Sequence, residues 1–162
     1  MAVTTPFLAL CACVLVFYHV EATTDTLSPL DSSFCHGGLQ VVYPELDIDK
    51  CLIIPKKLRE KLSIVWKAPQ IYFSGANKGD ALKEGQIQGT TLSDYIRPTP
   101  PQKSGFHRYQ FRLFEQLPGA PPSLTKQEKS SRGKWDLQAF IKRFDLGEPV
   151  ATLQFLTQDY KD

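Results

Sequence analysis

Apolar and polar positions along the chain fall into distinct regimes. Residues 7–20 are almost wholly apolar, Phe-Leu-Ala-Leu-Cys-Ala-Cys-Val-Leu-Val-Phe-Tyr-His-Val, with polar residues on either side. That run is too short to span a bilayer, which takes about 20 apolar residues. Val20-Glu21-Ala22 then presents small or apolar residues at the two positions a signal peptidase reads, which predicts a signal peptide over 1–22 and cleavage after Ala22. Residues 23–34 are polar and turn-rich and read as a flexible leader.

Beyond the leader, short runs rich in Val, Ile, Tyr or Phe recur between Pro, Gly, Asp and Lys. Residues 39–43, 51–54, 63–66 and 70–73 read as strands on this basis. Residues 75–101 lack periodicity and read as a long loop with a brief turn at 92–96. The strongest strand pattern covers 106–114. Its alternation places His107, Tyr109, Phe111 and Leu113 on one face and Phe106, Arg108, Gln110, Arg112 and Phe114 on the other. After a hydrophilic loop over 116–134, Leu137, Phe140, Ile141 and Phe144 fall at i, i+3, i+4 and i+7, a helical stripe. Asp136 is placed to cap that helix, and Gly147 followed by Glu148-Pro149 ends it. A closing strand is expected over 150–156. One helix among many strands predicts a mainly-β domain, a β-sandwich or Greek key with a peripheral C-terminal helix.

Composition narrows the function classes. Cleavage after Ala22 leaves 140 residues, enough for one domain over 35–162. The mature chain carries 19 Lys and Arg against 16 Asp and Glu, a net +3 too small and scattered to argue for nucleic acid. Lys56, Lys57, Arg59 and Lys61 alternate with Leu58 and Leu62, the solvated face of a short amphipathic turn after Pro55. No second apolar run is long enough for a transmembrane segment in the mature chain. Cys11 and Cys13 leave with the signal. In an oxidising compartment the remaining Cys35 and Cys51 are most simply a disulfide. The alternative, a metal held by Cys35 and His36, fails for want of four ligands, so no metal and no cofactor is expected.

His107 and Tyr109 share one face of a strand that starts just after a proline pair and Gly105. An imidazole and a phenol so placed can donate hydrogen bonds to a phosphate or carboxylate. They can equally be a satisfied core histidine beside a buried tyrosine. Hydrolase chemistry is not expected, because there is no Gly-x-Ser-x-Gly, phosphate loop or paired carboxylates, and Ser104 has no evident orienting acid.

The string Pro100-Pro101-Gln102-Lys103-Ser104-Gly105-Phe106-His107-Arg108-Tyr109-Gln110-Phe111 resembles a signature block of the phosphatidylethanolamine-binding family. Leu92-Ser93-Asp94-Tyr95 before it agrees, as do Arg132-Gly133-Lys134-Trp135 and the stretch from Phe140 to Ala151 after it. Leu39-Gln40-Val41-Val42-Tyr43-Pro44 and Trp66-Lys67-Ala68-Pro69-Gln70-Ile71 are similar to the family's opening strands. With the secretory signal and the cysteine pair, the resemblance is nearest to the secreted or lysosomal branch. It implies an antiparallel β-sandwich with an anion pocket at one end, lined here by Pro100, Pro101, His107 and Tyr109. Arg108 would be a structural ion-pair residue, and Gly105 would shape the backbone. The implied ligands are phospholipid headgroups or related small anions, the implied partners protein kinases or serine proteases, and no catalysis is implied.

The family's other block, of the form Asp-Pro-Asp-Ala-Pro-Ser-Arg followed by a strand with a His-Trp pair, is absent, and the chain contains no Asp-Pro dipeptide. Phe73-Ser74-Gly75-Ala76 passes directly into Asn77-Lys78-Gly79-Asp80, which places an internal deletion near 76–77 and implies an incomplete sandwich. Losing two strands would expose sheet edges and part of the apolar face. The sequence therefore supports three expectations: a secreted anion binder, a protein-interaction module independent of the pocket, or a shortened splice-type form that folds poorly.

Overall fold

Period-2 alternation in β1 (Leu39–Tyr43) buries Leu39, Val41 and Tyr43 on one face, and this face organises the computed structural model. The structure describes residues 26–75, 82–83, 86–87, 89–119 and 121–162. The expected signal peptide and the 76–77 junction lie outside the described residues. A two-residue turn at Pro44-Glu45 returns the chain as β2 (Leu46–Ile48), with Tyr43 opposite Leu46. β4 (Gln70–Phe73) pairs antiparallel on the other edge, giving the order β2-β1-β4.

A second three-stranded sheet is built around the closing strand β8 (Ala151–Thr157). β7 (His107–Leu113) runs antiparallel to it through seven pairs, from His107 opposite Thr157 to Leu113 opposite Ala151. β3 (Leu52–Ile53) pairs with β8 in parallel, so this sheet is mixed and the expectation of a wholly antiparallel fold is corrected. The reason is a covalent one. Cys51 is joined to Cys35, whose sulfur accepts the Gln154 N–H at 3.1 Å, so β3 starts beside the middle of β8. Two short strands, β5 (Leu82–Lys83) and β6 (Gln86–Ile87), form a separate antiparallel ribbon.

The two larger sheets share one core. Val41, Tyr43 and Ile48 pack with Leu153 and Phe155, and the Tyr43 ring meets Phe155 edge-on at 6.5 Å. All seven positions of β8 are buried, which alternation alone would not require. The cover for its other face comes from the stretch expected to be a flexible leader. There, Ser28 caps a helical turn, α1 (Pro29–Ser33), and the Asp31 carboxylate accepts from Gln154 Nε2 at 2.8 Å. The Thr152 hydroxyl donates to the Phe34 carbonyl, and His36 exchanges backbone hydrogen bonds with Thr152. Thr152 and Gln154 of β8 thus find side-chain partners in residues 31–34, which is why that stretch is anchored. Gly37, at φ +85, lets the chain pass close over β8: a Cβ there would meet the Val150 carbonyl at 2.3 Å.

Of residues 63–66, expected as a strand, 63–65 are helical instead and Trp66 is the extended residue that follows. Helix α2 (Lys56–Glu60) continues into a π-helical turn (Lys61–Val65), closed by Trp66 N–H donating to the Lys61 carbonyl at 2.8 Å. Leu58, Leu62 and Trp66, spaced by four, are buried, whereas Ile64 and Val65 are exposed. The helical spacing of the large side chains outweighs the β-propensity of Ile64-Val65. A capping box between Thr125 and Glu128 starts α3 (Lys126–Ser130). Asp136 accepts from Ala139 N–H at 2.9 Å and starts α4 (Leu137–Arg143). The stripe of α4 is only half buried. Trp135, Phe140 and Phe144 pack on one another, and Arg143 covers both phenylalanine rings while pairing with Glu128 at 2.9 Å.

Candidate anion-binding site

The residues before β7 set the geometry of its first side chain. The Pro101 carbonyl accepts from Ser104 N–H at 3.2 Å, closing a turn over 101–104. Lys103 holds the positive-φ corner at +62, a conformation that costs a non-glycine residue on the order of 1 kcal/mol. Gly105, at φ +74 with open space around it, then turns the chain into β7.

This local path brings Pro101, Ser104 and His107 together. Ser104 Oγ lies 2.6 Å from the Pro101 carbonyl oxygen and 2.6 Å from His107 Nε2. A serine hydroxyl has one proton, so when it donates to Pro101 the bond to His107 requires a proton on Nε2. Among the described residues no carboxylate bonds the other ring nitrogen. The turn also presents the Lys103 N–H, which donates to the Asp162 carboxylate at 2.8 Å, and Lys56 Nζ donates to the Asp162 backbone carbonyl at 2.5 Å. An anionic group is therefore already seated on the turn that holds His107.

Tyr109 lies two positions along the same face. Its ring stacks on Phe155 at 5.5 Å, and its hydroxyl is hydrogen-bonded to the Thr99 backbone. Burial pushes the Tyr109 phenol above its ordinary range, with the Thr99 backbone acting in the opposite direction, so the group remains a neutral donor at physiological pH. Pro100 is buried and Pro101 exposed. The second pair of phenols nearby joins Tyr43 and Tyr95, oxygen to oxygen at 2.9 Å, and burial raises both. Tyr43 stacks on Trp66 at 5.4 Å, and Arg97 Nε donates to the Trp66 carbonyl at 2.6 Å.

Arg108 projects from the opposite face of β7 and pairs with Asp31, Nε to Oδ1 at 2.5 Å. His107 and Tyr109 thus share one end of β7, and the Pro101 carbonyl is linked to His107 through the Ser104 hydroxyl. Sequence reasoning missed Asp162, Lys56 and Thr99, because backbone donors and long-range contacts leave no residue signature. Tyr95 stood inside a quoted motif but carried no pairing signal with Tyr43.

The arrangement offers an imidazole, a neutral phenol and a backbone N–H to an anion. Among the described residues no group of three or more His, Cys, Asp or Glu could hold a metal ion, and no helix is long and apolar enough to cross a membrane. A family model described as phosphatidylethanolamine-binding protein matches residues 46–156, a span that holds the 101–104 turn, all of β7 and nearly all of β8. The chain belongs to the phosphatidylethanolamine-binding protein family.

Proposed function

We propose that this chain is a secreted, non-enzymatic binder of phospholipid headgroups, phosphatidylethanolamine foremost, or of related small anions. Pro100, Pro101, His107 and Tyr109 form the pocket. The observation that carries the reading is the seating of the Asp162 carboxylate on the Lys103 N–H, beside the Ser104–His107 pair. A ligand oxyanion would take that donor by displacing the Asp162 carboxylate. Gly105 and Arg108 support it, the first through its positive φ and the second by tying β7 to residues 28–34. In this reading the two three-stranded sheets are the leaves of a β-sandwich that lacks two strands. The chain then stands nearest the secreted or lysosomal branch that includes phosphatidylethanolamine-binding protein 4, with residues 1–22 as its cleaved signal. Regulation of a protein kinase or serine protease would follow from occupancy of the pocket.

A second reading has an observation of its own. The text of the sequence runs from Gly75-Ala76 straight into Asn77, without an Asp-Pro dipeptide anywhere. A splice-type shortened form would look this way, and it would keep the family's strands while losing the ligand's counter-charge. Titration of glycerophosphoethanolamine into the wild type and His107→Ala separates the two. Saturable binding that disappears in the variant supports the first reading, and equal weak binding in both removes it. A kinase or protease captured equally by both proteins would instead indicate an interaction surface outside the pocket.

A further inference from the structure

β7 stands at one side of its sheet. The strand order is β3-β8-β7, and among the described residues no strand pairs with the far edge of β7. Burial separates the two neighbours: all seven positions of β8 are buried, and none of the seven in β7 is. Tyr109, Phe111 and Leu113 pack against the core yet stay partly open. A strand edge carries a row of backbone N–H and C=O groups set for another strand, and proteins commonly guard it with a short strand, a proline or a bulge. β7 is seven residues long and contains neither proline nor glycine. Its safeguard is charge.

Arg108, Gln110 and Arg112 alternate along the face of β7 that points away from the core. Arg108 is already paired with Asp31. Arg112 has no such carboxylate among the described residues. Its Nη2 donates to Gln110 Oε1 at 3.0 Å, and its guanidinium lies over the Phe34 ring at 5.0 Å. Its Nε is buried without a hydrogen-bond partner. A guanidinium in that state is unfavourable until an acceptor reaches it. The same cations argue against a second copy as the occupant. Two β7 strands paired antiparallel about Gln110 would set Arg108 opposite Arg112, and like charges directly opposite are destabilising.

We propose that the free edge of β7 accepts an extended acidic segment of a protein partner as an added strand. Backbone hydrogen bonds along the edge hold the segment. A carboxylate opposite Arg112 supplies the missing acceptor, and a second lies near Arg108. Apolar residues at the alternate positions pack beside Tyr109 and Phe111. The site goes beyond the headgroup reading and does not rest on it.

The probe is the terminally blocked, dye-tagged peptide Val-Glu-Val-Thr-Val-Glu-Val, which sets Glu opposite Arg108 and Arg112 in either strand direction. One control carries Lys in place of Glu, and another carries N-methyl groups on its inner amides. Anisotropy with the purified full chain is expected to show saturable binding of the Glu peptide, about tenfold weaker binding of the Lys peptide, and none after N-methylation. Hydrogen exchange over 107–113 should slow in the complex while that over 39–43 stays unchanged. Arg112→Gln should weaken binding about fivefold, the size of one partly exposed ion pair. Excess glycerophosphoethanolamine should leave binding unchanged. Absence of saturable binding, equal affinity for the Glu and Lys peptides, or wild-type affinity in Arg112→Gln would overturn the proposal. Should that variant fail to fold, the Lys peptide on the wild type decides the matter. Sedimentation showing dimers of the chain alone, with 107–113 protected from exchange, would give the edge to a second copy and end the proposal. Displacement by glycerophosphoethanolamine would assign the peptide carboxylates to the His107 end, ending this inference while leaving the headgroup reading in place.

Discussion

Arg108 and Asp31 stand 77 positions apart and meet through two hydrogen bonds, Nε to Oδ1 at 2.5 Å and Nη2 to Oδ2 at 3.1 Å. The pair is unequal: the Asp31 side chain is 6 % exposed and that of Arg108 55 %. Asp31 also accepts from the Ser28 hydroxyl and from Gln154 Nε2. One carboxylate therefore fastens residues 28–34, β7 and β8 together. Arg108→Ala and Asp31→Asn are each expected to lower the melting temperature by roughly 3 to 6 °C. The double variant should fall by clearly less than the sum, because both changes break one contact. Additive shifts in the four-protein melting series would mean that the pair contributes nothing.

Acid should loosen the molecule through two carboxylates. The Arg108 guanidinium holds Asp31 well below the usual carboxylate range, helped by the Ser28 hydroxyl. Arg143, followed by the Thr125 N–H, lowers Glu128 to about 2. A depressed folded-state value means that the unfolded chain binds more protons in this window, so stability rises with pH. The contribution of Glu128 is complete above its ordinary value of 4.5 and is lost as pH falls toward about 2. That of Asp31 is complete above 3.8 and is lost at lower pH still. Urea midpoints measured from pH 6 down to pH 2.5 should fall most steeply below pH 4.5. In Glu128→Gln the slope between pH 4.5 and 3 should be shallower than in the wild type, and an unchanged slope would contradict the assignment.

Reduction should act on the same region. Cys35 and Cys51 are 16 positions apart and linked with Cα atoms 5.6 Å apart. Opening a loop of that length releases about 3 kcal/mol of unfolded-state restriction on the chain-entropy argument. The urea midpoint is expected to drop on adding reductant, and Cys35→Ala/Cys51→Ala should match the reduced wild type. A midpoint insensitive to reductant would contradict a structural role.

The π-helical turn makes opposite demands on neighbouring aliphatic residues. Leu62 is fully buried and Val65 is 62 % exposed. Leu62→Ala should cost about 2 to 5 kcal/mol, whereas Val65→Ala should stay within about 0.5 kcal/mol. A strand over 63–66 would put Ile64 on the face of the buried Trp66, so an Ile64→Ala loss as large as that of Leu62→Ala would contradict the helical assignment.

Much of this fold is readable where one period dominates. The β-type run over 39–43 gives β1, period 2 gives β7 with its shared face, and the i, i+3, i+4, i+7 spacing gives α4 with Asp136 at its cap. The 63–66 stretch misleads because Ile64-Val65 carries β-propensity, while the deciding positions, Leu58, Leu62 and Trp66, reach outside it. Leu46-Asp47-Ile48 is too short to be distinguished from the turn before it. The parallel pairing of β3 and the anchoring of Asp31 arise from a disulfide and from contacts over a hundred positions long, which no local window contains. At the candidate site, the shared face of His107 and Tyr109 was legible from alternation. The Asp162 carboxylate on the Lys103 N–H was not, because a backbone donor is the same in every residue but proline.

Calorimetric unfolding of the purified chain, with and without excess glycerophosphoethanolamine, tests the headgroup reading most directly. A single cooperative transition that moves upward with ligand in the wild type, and fails to move in His107→Ala, is the predicted result. A transition that ignores the ligand, or that shifts equally in the variant, would contradict a headgroup site built on His107.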